Sequence, residues 1–171
     1  MTLAIDISVE DKAWAAAGDV DALARLAVDT ALAESGDALP ENAELSIVLC
    51  NDAFIAALNE KWRGIAKPTN VLSFPVELDS PALGDIVIAY ETVAREALED
   101  GKTLRDHLSH MIVHGFLHLL GFDHEADDEA EAMEALEART LAALGIASPF
   151  AEVDPIDHAK PQAAEDRRSP P

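Results

Sequence analysis

The stretch His114-Gly115-Phe116-Leu117-His118-Leu119-Leu120-Gly121-Phe122-Asp123-His124 decides how the chain reads. Its three histidines have the spacing H-x3-H-x5-H. On a helix, His114 and His118 are i and i+4, one turn apart on one face, and both rings reach one point. This is how a helix offers two nitrogens to a transition metal. A straight helix would carry the third histidine away. Gly121 supplies a turn, because glycine adopts positive φ at low cost and commonly ends helices. His124 can then return to the same metal. Three neutral imidazoles leave a fourth position open, the pattern of a catalytic rather than a structural zinc site. The plain alternative is a helix with a few buried or solvent-facing histidines. Against it, five of the six histidines lie between His107 and His124, and three have ligand spacing with a glycine at the turn.

The pattern matches the extended zincin motif H-E-x-x-H-x-x-G-x-x-H except at its second position, which is Gly115. The glutamate expected there is the general base of the metalloproteases. The stretch therefore reads as a metal cradle from which the protease base is missing. Gly115 costs a helix about 1 kcal/mol relative to alanine. Close packing or room for a substrate would each account for it. His110 lies one turn before His114 and reads as packed or as bracing a ligand. His107 reads as structural or exposed. Asp123 either orients an imidazole or bonds the local backbone in a turn.

Read residue by residue, His-Gly-x-Leu-His-Leu-x-Gly-x-Asp-His resembles the signature of the YbeY family, bacterial endoribonucleases of ribosomal RNA maturation. Two further blocks agree: Trp62-Arg63-Gly64 followed by Lys67-Pro68-Thr69-Asn70-Val71-Leu72-Ser73-Phe74-Pro75, and Leu83-Gly84-Asp85-Ile86. The blocks come in family order and span roughly residues 45 to 145. Ala66 departs from the family, which often has an acid there. The resemblance implies a zincin-like fold and a metal-dependent, single-strand-specific endoribonuclease, a hydrolase. It implies action on the 3′ end of small-subunit (16S) ribosomal RNA and in ribosome quality control. Its partners would be single-stranded and ribosomal RNA, with small-subunit ribosomal proteins as further candidates. It also gives Arg63 a functional role, and His114 a catalytic one beside its metal role.

The rest of the chain fits one catalytic domain over residues 1–147 and a flexible tail over 148–171, where prolines and charges leave little to bury. No apolar run approaches the ~18 residues needed to span a bilayer. The N-terminus has no basic or apolar leader pattern and reads as unprocessed and cytoplasmic. The single Cys50 excludes an internal disulfide and a cysteine-based metal site, and reads as a small buried strand residue. Net charge is −21 and the pI is near 4.3. That argues against a protein that coats nucleic acid by general electrostatics, but not against a local basic site.

Apolar alternation gives a first strand over Leu3–Val9, and a compact apolar run gives a second over Leu45–Cys50. Helical spacing gives a helix from about Asp19 to Glu34. Asn51 caps another, marked by Phe54, Ile55, Leu58 and Trp62. Gly64 and Pro68 place Lys61, Arg63 and Lys67 at a loop. Val71–Phe74 is a third strand closed by Pro75, and Gly84 opens a fourth to Ala89. Helices follow over Glu91–Glu99, Leu104–Leu120 and Asp128–Leu144, the last with its acids read as a solvated face. The fold expected is α+β: a small, mostly parallel mixed sheet of about four strands packed by helices, one of which binds metal.

The site expected is His114, His118 and His124 around one zinc ion per chain, with Arg63 clamping a phosphate through its planar fork. Lys61 and Lys67 would widen the basic patch. Thr69, Asn70 and Ser73 are open between contacting RNA and holding a turn and strand. Two other readings remain open at this stage. One is a metal-dependent hydrolase of a peptide or small phosphoester, which Gly115 disfavours for peptides. The other is a non-enzymatic ribosome-assembly factor with a structural metal.

Overall fold

Four strands form one sheet in the order β1-β2-β4-β3, with β1 Ala4–Val9, β2 Glu44–Cys50, β3 Val71–Pro75 and β4 Ala82–Ala89. The structure is a computed structural model and describes residues 3–75, 82–122 and 126–147. The expected tail, and His124 and Asp123, lie outside the described residues. β1, β2 and β4 run parallel, whereas β3 pairs antiparallel with β4 and forms the sheet edge. The mostly parallel mixed sheet of the α+β reading is therefore found. Its central strands read as apolar runs because both faces are covered.

The helices are α1 Val20–Ser35, α2 Asp52–Arg63, α3 Tyr90–Glu99, α4 Leu104–Leu119 and α5 Asp127–Ala143. Local chemistry sets their ends. The side chains of Asp19, Asn51 and Thr103 accept backbone N–H bonds from Ala22, Phe54 and Asp106, capping α1, α2 and α4. One element escaped the sequence reading, a 3₁₀ segment at Lys12–Ala17. It places Trp14, fully buried, so that its indole N–H donates to the Cys50 carbonyl at 2.9 Å and its ring meets Tyr90 edge-on.

The main core lies between one face of the sheet and α1, α4 and α5, and includes Leu45, Ile47, Ile86, Ile88, Ile112 and Phe116. A smaller cluster of Cys50, Ile55, Leu72, Val87 and Ala89 sits on the other face, beneath α2. Burial pushes the Cys50 thiol up to about 12, as its reading as a buried strand residue requires.

Helix α4 is the centre of the molecule. It packs on α1, α3, α5, β3 and β4, and every residue from His107 to Leu117 is buried. Gly115 explains how it comes so close to the sheet. A Cβ there would stand 2.8 Å from Ile86 Cγ2 and 3.1 Å from Ser73 Oγ. Of the two reasons open for this glycine, close packing is the one found. The same geometry excludes the zincin glutamate, since a side chain at 115 would be driven into β4.

Two assignments change. Phe54 and Trp62 were expected on the inner face of α2 but are 45% and 62% exposed, and Asn59 is buried there instead. Arg63 was expected in a loop but is the last residue of α2, which Gly64 ends at φ 71°.

Candidate metal centre and basic edge

Helix α4 ends in a Schellman motif. The Phe122 N–H bonds the Leu117 carbonyl and the Gly121 N–H bonds the His118 carbonyl, both at 3.0 Å, with Gly121 at φ 107°. The glycine turn expected from the sequence is thus present, and it folds the chain back over its own last turn. One consequence is direct: the Phe122 carbonyl lies 3.1 Å from His118 Nδ1. A carbonyl only accepts, so His118 Nδ1 carries a proton, and in the neutral ring Nε2 is then the nitrogen that binds metal.

His114 is set the same way from another element. Its Nδ1 lies 2.6 Å from Glu137 Oε2, on α5. Burial, the largest influence on that carboxyl, opposes its ionisation. The charge of the adjoining His114, its hydrogen bond and the nearby His110 ring outweigh burial and hold it well below the usual carboxylate range. An ionised carboxylate accepts, so the His114 proton is on Nδ1 as well. His110 Nε2 is 3.5 Å from the same oxygen.

The two Nε2 atoms face each other: His114 Nε2 and His118 Nε2 are 3.1 Å apart, with the rings nearly perpendicular. Two nitrogens bound tetrahedrally to zinc at ~2.0–2.1 Å stand roughly 3.3 Å apart. The donor set and its spacing therefore fit a metal ion of that kind. The carboxylate and carbonyl behind the rings are the supports that metal-binding histidines ordinarily have. Among the described residues, no group of three or more His, Cys, Asp or Glu side chains is arranged to hold an ion. The third expected ligand, His124, is outside them.

Glu137 was missed in the sequence, where the acids of α5 were read as one solvated face. The signal was there: Met133, Leu136, Glu137, Thr140 and Leu141 are all buried and fall at one helical spacing. Glu137 occupies a core position.

A second buried network lies one turn up the helix. His107 Nε2 meets Glu96 Oε1 of α3 at 2.8 Å, and the Asn70 amide donates to the same carboxylate at 3.1 Å. Asn70 Oδ1 accepts from the Val71 N–H at 2.7 Å. His107 is thus structural, and Asn70, 1% exposed, holds the start of β3 rather than facing a ligand. The Ser73 hydroxyl donates to the Gly115 carbonyl at 3.2 Å, tying β3 to α4 beside His114.

Arg63 lies at the C-terminal end of α2. Its Nη1 donates to Asn59 Oδ1 at 3.2 Å, while Asn59 Nδ2 donates to the Lys67 carbonyl at 2.9 Å. Arg25 and Arg139, in contrast, face Asp21 and Glu34. Among the described residues no carboxylate pairs with Arg63. Partial desolvation lowers its pKa from the usual arginine value.

Comparison with known proteins agrees with the geometry. The family model described as Endoribonuclease YbeY matches residues 6–145. A Methylocella silvestris protein named Endoribonuclease YbeY is 57% identical over 151 residues, covering 86% of each chain. One of the same name from Azorhizobium caulinodans is 54% identical and covers 86% of this chain and 96% of its own. The solution structure of TM1509 from Thermotoga maritima is 27% identical, with TM-score 0.54 over 88% of this chain and 97% of that one. The family match, residues 6–145, takes in all five helices and all but the first residues of the sheet, and the chain belongs to the Endoribonuclease YbeY family.

Proposed function

We propose that the protein is a metal-dependent, single-strand-specific endoribonuclease that matures ribosomal RNA, including the 3′ end of small-subunit RNA, and serves ribosome quality control. The observation that carries the metal part is that the Nε2 atoms of His114 and His118 face each other at 3.1 Å, with a hydrogen bond behind each ring. His114, His118 and His124 hold one zinc ion. When bound, the ion supplies Lewis acidity toward a phosphoryl oxygen.

The chain's own residues do the positioning. Glu137 and the Phe122 carbonyl keep His114 and His118 in the metal-binding tautomer. Arg63 binds a substrate phosphate. Its guanidinium is partly desolvated, bonded to a neutral amide and paired with no carboxylate of the described residues, so its charge is available to an anion. The peptide-hydrolase reading fails on Gly115, which leaves no space for the missing base. Among the described residues no helix is long and apolar enough to cross a membrane, and the reading places the protein in the cytoplasm with ribosomal RNA.

Two measurements test this reading. Purified protein is expected to hold one metal ion per chain, lost in His114→Ala, His118→Ala and His124→Ala but not in His158→Ala. Arg63→Ala is expected to keep the metal yet cut single-stranded RNA roughly 10- to 150-fold more slowly, the worth of a charge-assisted contact of ~1.5–3 kcal/mol. Arg63→Lys should rescue only part of this, because an ammonium lacks the planar fork. Arg139→Ala, which removes a side chain facing Glu34 at 3.6 Å on the surface, is the control of equal charge change. Equal rates for Arg63→Ala and Arg139→Ala would remove Arg63 from the site.

A further inference from the structure

The largest aromatic left open to solvent is Trp62, 62% exposed at the end of α2. Its ring lies 6.3 Å from that of Phe74 on β3, tilted by 55°. The Lys61 ammonium sits 5.2 Å from the indole centroid. Arg63 follows in sequence, and Lys67, exposed, lies just beyond the Gly64 turn. Residues 59–75 carry three cations, Lys61, Arg63 and Lys67, and one carboxylate, Glu60, whereas the whole chain carries 12 bases against 33 acids.

An exposed tryptophan with an apolar neighbour could be a docking point for any apolar partner. The charge around it narrows the choice. A patch rich in cations on an otherwise strongly acidic protein selects a polyanion, and the polyanion whose subunits present flat π-faces is nucleic acid. The position agrees. Ser73 and Phe74 point to opposite faces of β3, Ser73 toward Gly115 beside His114 and Phe74 toward Trp62. β3 is the edge of the sheet, so a strand can pass from the aromatic pair around that edge toward the histidines.

We infer that Trp62, backed by Phe74 and flanked by Lys61 and Arg63, is a stacking platform for one unpaired RNA base, and that this platform gives the protein its preference for single strands. The inference rests on the RNA reading above and adds the group that recognises the substrate. In a duplex both faces of each internal base are covered by its neighbours, so an indole face finds nothing to stack on. In a single strand a base swings onto it. Stacking one base on an aromatic ring is worth roughly 5- to 140-fold in affinity, against roughly 2- to 5-fold for an exposed cation–π contact. A base therefore displaces the Lys61 ammonium from the ring and leaves it beside the flanking phosphate.

The protein carries its own probe. It has two tryptophans, and Trp14 is fully buried, so a fluorescence change on binding reports Trp62. The full-length, metal-loaded protein is titrated with a cleavage-resistant 2′-O-methyl oligonucleotide, its duplex, and an abasic oligomer of equal charge. The single strand is expected to quench the fluorescence, and the duplex and abasic oligomers to bind without quenching. Trp62→Ala should weaken single-strand binding at least fivefold and leave the other two unchanged, so that the preference collapses. Trp62→Phe should bind within a few-fold of wild type, which separates stacking from loss of fold. Unchanged single-strand affinity in Trp62→Ala, or equal quenching by the abasic oligomer, overturns the platform while leaving the RNA reading in place. Self-association of the wild type that Trp62→Ala abolishes would assign the face to a second copy of the chain and overturn it too. Failure of the wild type to bind any of the three oligomers overturns the RNA reading, and the platform with it.

Discussion

Helices α4 and α2 both carry candidate site residues, but in opposite surroundings. On α4, His107, His110 and His114 are each 3% exposed, inside a run of eleven consecutive buried residues. At the end of α2, Lys61 and Trp62 are exposed and Arg63 is half-buried. A buried polar group needs a partner, so on α4 the fold decides ring orientation and tautomer. At the end of α2 water satisfies what the protein does not, so the same fold leaves those groups adjustable. On the proposed function, one region holds an ion rigidly and the other receives a flexible polymer. Substitutions should divide accordingly: on α4 they act through the scaffold or the ion, and on α2 through the substrate alone.

The largest effect should come where α4 touches the sheet. Gly115→Glu would restore the zincin motif in sequence and destroy its setting. The first added atom already stands 2.8 Å from Ile86 Cγ2, and the carboxylate beyond it would be buried among apolar side chains. Overpacking and an unpaired buried charge together cost on the order of 5 kcal/mol. The melting temperature should fall by roughly 10–20 °C, or the chain should fail to fold. Thermal unfolding reads this directly. A variant melting with the wild type would show that the contact between α4 and the sheet yields easily, and the contrast between the helices would be lost.

Next comes the support behind His114. Glu137→Gln keeps the shape and an acceptor but removes the charge that holds the proton on Nδ1. Metal affinity should drop roughly 10- to 100-fold, the usual cost of losing such a support. Chelator competition measures it, and nitrogen NMR of the His114 ring should show a mixed tautomer in the metal-free variant. Unchanged affinity with an unchanged ring spectrum would mean that Glu137 only fills space.

Much of this was legible in the sequence because local rules and tertiary structure agree there. The strands of the parallel sheet are short apolar runs, and the caps at Asn51 and Thr103 do what such residues do by themselves. The spacing of His114 and His118 and the positive φ of Gly121 are likewise properties of one helix and its end. What stayed hidden was the identity of partners from distant elements. Nothing within α5 says that Glu137 meets a histidine 23 positions away, because a buried glutamate and a surface glutamate have the same local propensity. Likewise Trp62 looks like core by hydrophobicity, and only its position past the smaller cluster under α2 leaves it outside.

The smallest effect should be that of Arg63 on stability. Its side chain contributes one hydrogen bond, to the amide oxygen of Asn59, and no ion pair among the described residues. A neutral-acceptor bond near the surface is worth about 0.5–1.5 kcal/mol, and here the loss is eased because water can replace Arg63 at Asn59 Oδ1. Asn59 itself stays anchored through the Lys67 carbonyl, so the Gly64 turn keeps its shape. Arg63→Ala should therefore melt within about 4 °C of wild type and bind metal with unchanged affinity. The same variant is expected to lose most RNA cleavage, and that pairing of a large functional loss with a small structural one is what distinguishes the end of α2 from α4. A melting temperature lowered by 10 °C or more would place Arg63 in the scaffold. Its cleavage defect would then say nothing about phosphate binding, and the two helices would differ in exposure without differing in task.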